Sequence, residues 1–590
     1  MDPKSYFEST IDRNASVLSR LKKTSLVLSM ARLIVFIAAI LVIYFFWGNT
    51  TVTATAAIVG FGGFLFLVAR YTDVKAKRDF HQKIKDINDL ELRVMLGHLE
   101  GLETGNEFLS GQHHYNQDID LFGEASLFQI INRTGTAAGK EVLAAKLNSN
   151  DIEDISGRQE AVKELSEDPD WRQHYQVTAS MIQNEVATQD MVDWMKNHKA
   201  VIPKMFSWVP LFFGLLSLTI IVLYGIGIVP GRLVLLEFFL GIAISGLYVK
   251  KVTGLYAEAG RMKETFSQYS KLIHAIENKA FRSEKLTALQ AMLVTNDKDA
   301  SEVLRTLSKE INNLDQRNNI FFAFLANGFL LWDLRYAYRI EKWIRENEAN
   351  IEKWFEAVAE FDAWNSLANY AFIRPLYLYP KIGDGDTVLH AKALGHPLLD
   401  PEKRVDNDIA IDKGSFFIIT GANMAGKSTF LRTVALNLVM ANCGLPVCAG
   451  TFTYQPIKLI SSMRTSDSLK DDESYFFSEL KRLKFIVDEI EKDTYFIILD
   501  EILKGTNSKD KAEGSQQFVE RLVASHSTGL IATHDLSLCV IADQSNEVEN
   551  HYFDAQIIDD ELFFDYKFKE GVCQNMNASF LLKKMGIVNP

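Results

Sequence analysis

Two stretches near the start of the chain, residues 33–47 and 52–69, carry no charged side chain, and only Gly48, Asn49, Thr50 and Thr51 separate them. A helix rises about 1.5 Å per residue, so about 20 apolar residues cross a hydrocarbon core about 30 Å thick. The pair predicts a helical hairpin with membrane spans at about 31–47 and 52–69, with Tyr44 and Trp47 where an interfacial aromatic belt would lie. A cleaved signal peptide is not expected, because a second apolar run follows where a polar mature chain should begin. A second pair of runs, 205–228 and 233–249, flanks the turn Val229-Pro230-Gly231-Arg232. Arg13, Arg20, Lys22, Lys23 and Arg32 precede the first hairpin, and Arg70, Lys75, Lys77 and Arg78 follow it. Lys196, Lys199 and Lys204 precede the second, and Lys250 and Lys251 follow it. Basic flanks stay on the cytoplasmic side. The chain is therefore expected to be a multi-pass protein of the cell (inner) membrane, with both termini and nearly all its hydrophilic mass in the cytoplasm. Glu237 is the one acid inside a span, and its nearness to the turn predicts that it reaches the outer interface beside Arg232.

Between and after these runs the pattern is helical, with apolar residues three and four apart, few prolines and many Glu, Lys and Gln. From Leu376 onward short β-branched or aromatic runs alternate with helical segments, which signals an α/β domain. The pattern divides the chain into an N-terminal membrane hairpin (1–85), a first helical part (86–204), a second membrane hairpin (205–250), a returning helical part (251–375) and an α/β domain (376–590).

Composition narrows this further. The 590 residues hold 63 Lys+Arg against 75 Asp+Glu, a net charge of -12, and are 47% hydrophobic, which excludes a disordered chain and allows several packed cores. The acidic balance argues against a surface that grips nucleic acid everywhere, though not against a local basic groove. Cys443, Cys448, Cys539 and Cys573 show no paired metal spacing and read as buried, reduced thiols.

The candidate chemistry lies in the α/β domain. A buried-strand run, 415–420, leads into Gly421-Ala422-Asn423-Met424-Ala425-Gly426-Lys427-Ser428 and then a helix from Thr429. This is the order a P-loop needs: glycines let backbone N–H groups wrap a phosphate at a helix N-terminus, Lys427 reaches the terminal phosphates, and Ser428 ligates magnesium. A second apolar strand, 495–499, ends in Asp500, placed to hold the magnesium shell, and Glu501, placed to orient or deprotonate an attacking water. A third, 529–532, ends in Thr533-His534-Asp535, which puts His534 where it can sense a terminal phosphate.

These residues resemble the MutS mismatch-repair ATPases, a branch of the ABC-type ATPase superfamily. Thr420 to Thr429 is similar to that family's T-G-P-N-M-G-G-K-S-T, and Leu499 to Ser508 to its L-D-E-I-G-R-G-T-S-T. His396-Pro397-Leu398-Leu399 and Asn407-Asp408 resemble the approach to its ATPase domain, and Arg133 to Lys140 the start of its helical core and lever. Ser474-Tyr475-Phe476-Phe477-Ser478-Glu479-Leu480 is similar to S-T-F-x-x-E-M. The resemblance covers roughly 113–200 and 280–590 and leaves both hairpins outside. It implies that Gly421, Asn423, Met424, Gly426, Lys427, Ser428 and Thr429 hold ATP, that Ser428 and Asp500 hold Mg2+, that Glu501 and His534 are catalytic, and that Ser474 completes the site of a partner subunit in a homodimer. Arg404 stands where the family's adenine-stacking aromatic is expected, and Tyr566 is the candidate base contact from the other side.

The function this implies is a membrane-anchored MutS-like ATPase, hydrolysing ATP at composite dimer sites to move helical levers. The first hairpin occupies the place of a mismatch-reading domain and the second that of the DNA clamp. Any DNA binding is therefore expected to run through phosphates, without mismatch specificity. Two alternatives stay open: an ABC-type membrane transporter ATPase, although no L-S-G-G-Q lies between Gly426 and Asp500, and a membrane-tethered DNA repair or recombination factor.

Overall fold

The computed structural model describes residues 2–182, 186–295, 298–463, 475–503, 508–558 and 561–574. Its N-terminal part is two long antiparallel helices, α1 (Pro3–Phe45) and α2 (Thr50–Met95), joined by a turn in which the Asn49 side chain accepts from Val52 N–H and caps α2. Their apolar stretches are exposed along the length that faces away from the protein body. Their other ends dock. Tyr6 and Phe7 at the start of α1 pack edge-on against Phe372, and Asn88 on α2 exchanges buried hydrogen bonds with Gln173.

The helical region contains α3 (Leu127–Ile131), α4 (Ala137–Asn148), α5 (Ile155–Ser166), α6 (Pro169–Ser180), α7 (Thr188–Asn197), α8 (Val209–Gly225), α9 (Gly231–Glu277), α10 (Glu284–Ala291), α11 (Ala300–Asp315), α12 (Ile320–Leu330) and α13 (Trp332–Ile373). A two-residue ladder, β1 (Val294–Thr295) with β2 (Lys298–Asp299), is the only strand pairing among its described residues. The 42-residue helix α13 is the spine. It buries Trp354, Phe355, Phe361 and Tyr370, and the fully buried Asp362 reaches across to α4, where it accepts from Gly135 N–H, Thr136 N–H and the Thr136 hydroxyl. Phe122 is buried against Phe108 and Phe128.

Two features differ from the sequence reading. Glu237 is 3% exposed rather than at an interface, and its partner is Ser217 on α8, because the inward face of α9 is covered by α8 and α12. The segment 251–375 is also not lever alone. Its α12, Ile-Phe-Phe-Ala-Phe-Leu-Ala-Asn-Gly-Phe-Leu, packs on α8 and α9 while Ile320 and Phe321 stand 80% and 85% exposed, and an 83° bend separates it from α13. At 11 residues it is too short to register as a span.

The C-terminal region is built on two sheets. The four-stranded one orders β3 (Lys381–Ile382), β7 (Thr451–Tyr454), β4 (Thr387–Leu394) and β5 (Asn407–Asp412). The six-stranded one runs β14 (Phe568–Glu570), β11 (Val548–Phe553), β6 (Phe416–Gly421), β10 (Thr528–Ala532), β9 (Tyr495–Asp500) and β8 (Lys458–Ser462), all parallel except β14. β6 and β10 are buried at every position, as expected of parallel strands covered on both faces. The helices α14 (Lys427–Asn442), α15 (Tyr475–Ile490) and α16 (Ser508–Ala524) connect them, and a short ladder, β12 (Gln556–Ile558) with β13 (Glu561–Phe563), precedes β14.

Candidate functional site

The parallel register determines which residues meet. Ala532 lies beside Ile419 on one side and Asp500 on the other, so the strand ends of β6, β9 and β10 release Gly421, Glu501 and Thr533-His534 at one level. Ligands of parallel α/β sheets bind outside these carboxyl ends. A cavity of about 630 Å³ opens there, lined among others by Asn423, Met424, Gly426, Lys427, Ser428, Thr429, Asp500, Glu501, His534 and Tyr566.

The loop between β6 and α14 is shaped for an anion. Gly426 has φ +104°, a left-handed conformation that favours glycine, and a side chain there would press its Cβ to 3.1 Å from the Tyr566 ring. No side chain caps α14, so the positive end of its dipole faces the cavity. Lys427 is buried, and its ammonium donates to the carbonyls of Gly421 (2.8 Å) and Ala422 (3.1 Å). Burial lowers its pKa, and the carboxylates of Asp500 and Glu501 act in the opposite direction. Phosphate oxygens are stronger acceptors than these carbonyls and can draw the ammonium across.

Glu501 holds φ +54°, uncommon for a residue with a Cβ, and its N–H donates to Ala532 O at 2.9 Å. This turn brings Glu501 Oε1 within 2.8 Å of His534 Nε2, while Lys427 Nζ lies 3.2 Å from the same nitrogen. One ring nitrogen cannot donate to a carboxylate and accept from an ammonium together. The shorter contact assigns the proton to Nε2 and the bond to Glu501. Among the described residues no three His, Cys, Asp or Glu converge as a metal cage. Magnesium would share Ser428 and Asp500 with phosphate oxygens and water, a set that suits a small ion reluctant to shed its hydration.

The far wall was harder to read from sequence. Tyr566 lies over Gly426, its carbonyl accepts from the Asn407 side chain at 3.0 Å, and its ring stacks on Phe564. Arg404 pairs with Asp406 at 2.7 Å and lines the cavity, with Nη1 buried and unbonded among the described residues. His396 also lines it, its pKa pushed down to about 4 by burial. The sequence motifs gave Arg404 and His396 positions but no role, because a wall formed by the β4–β5 connection and the approach to β14 joins residues about 160 apart. Ser474 lies outside the described residues.

Residues 417–584 match the MutS domain V family. Over these residues the C-terminal region is similar to MutS domain V. The chain is 32% identical over 225 residues to MutS protein homolog 4 of Homo sapiens, covering 36% of this chain and 24% of that protein. It is 28% identical over 275 residues to the DNA mismatch repair protein MutS of Fusobacterium nucleatum, covering 45% of this chain and 27% of that protein. The chain thus spans about a quarter of the length of these MutS relatives.

If Tyr566 faces the base of a nucleotide held by this MutS domain, Tyr566→Ala should raise the nucleotide Kd about tenfold, or about 1.4 kcal/mol, in calorimetric titration. An unchanged Kd would remove it from the base site.

Proposed function

We propose that this protein is a membrane-anchored MutS-type ATPase that binds and hydrolyses ATP to move helices rooted in the membrane. The observation that carries the reading is the convergence of Lys427, Ser428, Asp500, Glu501 and His534 on one cavity at the carboxyl ends of three parallel strands. In this reading the N–H groups at the start of α14 and the Lys427 ammonium hold the phosphates. Ser428 and Asp500 would hold a magnesium ion, which would supply charge neutralisation for the phosphates when bound. Glu501 orients the attacking water and accepts its proton, and His534, bonded to Glu501, keeps that carboxylate in place and senses the terminal phosphate.

The homodimer is part of the proposal, since the resemblance of the motif beginning at Ser474 implies a site completed by a partner subunit. So is the anchor in the cell (inner) membrane: α1, α2 and α9 are each long and apolar enough to cross one, and the basic flanks orient the MutS domain to the cytoplasm. DNA remains a secondary partner in this reading, bound through phosphates if at all.

Salt-washed membranes carrying the protein should retain it together with a magnesium-dependent ATPase activity. Lys427→Ala should lose nucleotide binding, and Glu501→Gln should keep binding while turning over about 10²-fold or more slowly. Release into the wash contradicts the anchor, and undiminished turnover by Glu501→Gln contradicts its role. In titrations of the detergent-solubilised protein, matched and G·T-containing duplexes should bind with affinities equal within about tenfold, and both more weakly as salt rises. A larger mismatch preference would reveal a reading element in residues assigned here to lever or membrane.

A further inference from the structure

Apolar surface continuous with the second hairpin extends beyond it onto α12. From 318 to 332 the chain has no charged residue, and this stretch is closed at its base by an ion pair between Arg317 Nε and Asp333 Oδ2 (3.2 Å) whose side chains are 11% and 10% exposed. On α12, Ile320, Phe321, Phe324 and Leu325 are all at least half exposed. Toward its C-terminal end, where Ala326, Asn327 and Gly328 are buried, the helix is fitted tightly to the hairpin. A Cβ at Gly241 of α9 would fall 2.2 Å from the Gly328 carbonyl, and one at Gly328 2.1 Å from the Phe238 ring, so the two backbones meet through glycines.

Backbone at the break is satisfied as backbone without water must be. Leu331 turns the chain with φ +49°. The Ser217 hydroxyl of α8 donates to the carbonyl of Phe329 (2.7 Å), and the N–H of Asp333 donates to the Asn327 side chain (2.9 Å). Ser217 also touches Glu237. No ion pair to Glu237 exists among the described residues, and its Oε2 is buried with no hydrogen-bond partner.

We infer that α12 is itself embedded in the bilayer as a re-entrant helix, its exposed face against lipid acyl chains, so that α13 springs directly from the membrane. The inference rests on the reading of 205–250 as a membrane hairpin. At about 1.5 Å per residue, 11 residues reach about 16 Å and cannot cross a core of about 30 Å. Nor does α13 continue the crossing, because its first turns carry Asp333, Arg335 and Arg339. The depth agrees. Gly241, against which α12 packs, is nine residues before Lys250 and thus about 14 Å inside the cytoplasmic boundary.

The test uses the full-length protein in liposomes with single introduced cysteines, Phe321→Cys on α12, Leu236→Cys on the hairpin and Lys309→Cys on α11, each labelled with a fluorophore; the native thiols are buried. Quenching by nitroxide-bearing lipid is compared with quenching by aqueous iodide. Phe321 and Leu236 probes quenched alike by lipid, several-fold more than the Lys309 probe, is the expected result. Lipid quenching at Leu236 with iodide quenching at Phe321 overturns the placement of α12 and leaves the hairpin standing. Iodide quenching at both overturns the membrane reading itself. A Phe321 probe protected from both quenchers would put protein, such as a second copy of this chain, where acyl chains are inferred, and overturns the inference as well. Ile320→Cys replaces Phe321→Cys if that variant does not fold.

Discussion

The continuity of α13 is the constraint on which the other elements depend. Its 42 residues extend about 63 Å, from the elbow at Leu331 beside α12 to Ile373, where Tyr6 and Phe7 of the N-terminal hairpin dock. Helices α3 to α12 all place side chains against it or against helices that do, so displacing either end requires the whole column to move or break. Asp362 makes breaking costly. Its buried carboxylate is held by two N–H groups and a hydroxyl from the entrance to α4, and an ion stripped of such partners loses several kcal/mol.

The loop between β6 and α14 is joined to this column by short routes. Helix α14, which begins at Lys427, ends where Arg158 donates to the carbonyl of Asn442 (2.8 Å) and the Cys443 thiol to that of Lys146. Lys146 in turn pairs with Glu360 of α13 at 2.7 Å and lies over the ring of Trp364. A second route leaves the middle of α14, where Arg432 pairs with Asp120 and donates to the carbonyl of Asp118, whose carboxylate accepts from Ser461 at the end of β8. Arg482 of α15, the helix that carries Tyr475 to Leu480 of the Ser474 motif, donates to the carbonyls of His113 and His114. Movement of α14 or α15 at the proposed nucleotide site would therefore have packed, charged contacts through which to reach α13.

What the sequence disclosed depended on how local the signal was. The strand–loop–helix around Gly421 to Ser428 and the acidic end of β9 were legible, because a glycine loop and an Asp-Glu pair keep their meaning within a dozen residues. The apolar hairpins were visible because charge, Glu237 apart, is absent over whole apolar runs. Helix α12 escaped because its length matches a buried core helix, and only the exposure of Ile320 and Phe321 separates the two. Glu237 was misplaced for a related reason: proximity to a turn says nothing of a third helix, 80 residues onward, that covers it. The Arg404 and Tyr566 wall depended on the pairing of distant strands, which composition and periodicity do not encode.

The account holds that nucleotide state at the loop is transmitted along α13 to the membrane. Spin labels on Arg345→Cys, an exposed position on α13, in the Glu501→Gln protein reconstituted in liposomes, report the distance between the two α13 helices of a dimer by pulsed electron resonance. Adding ATP with magnesium should shift that distance distribution, and the shift should vanish when Lys427→Ala is also present. A distribution unchanged by ATP, in protein that demonstrably binds it, would contradict the account.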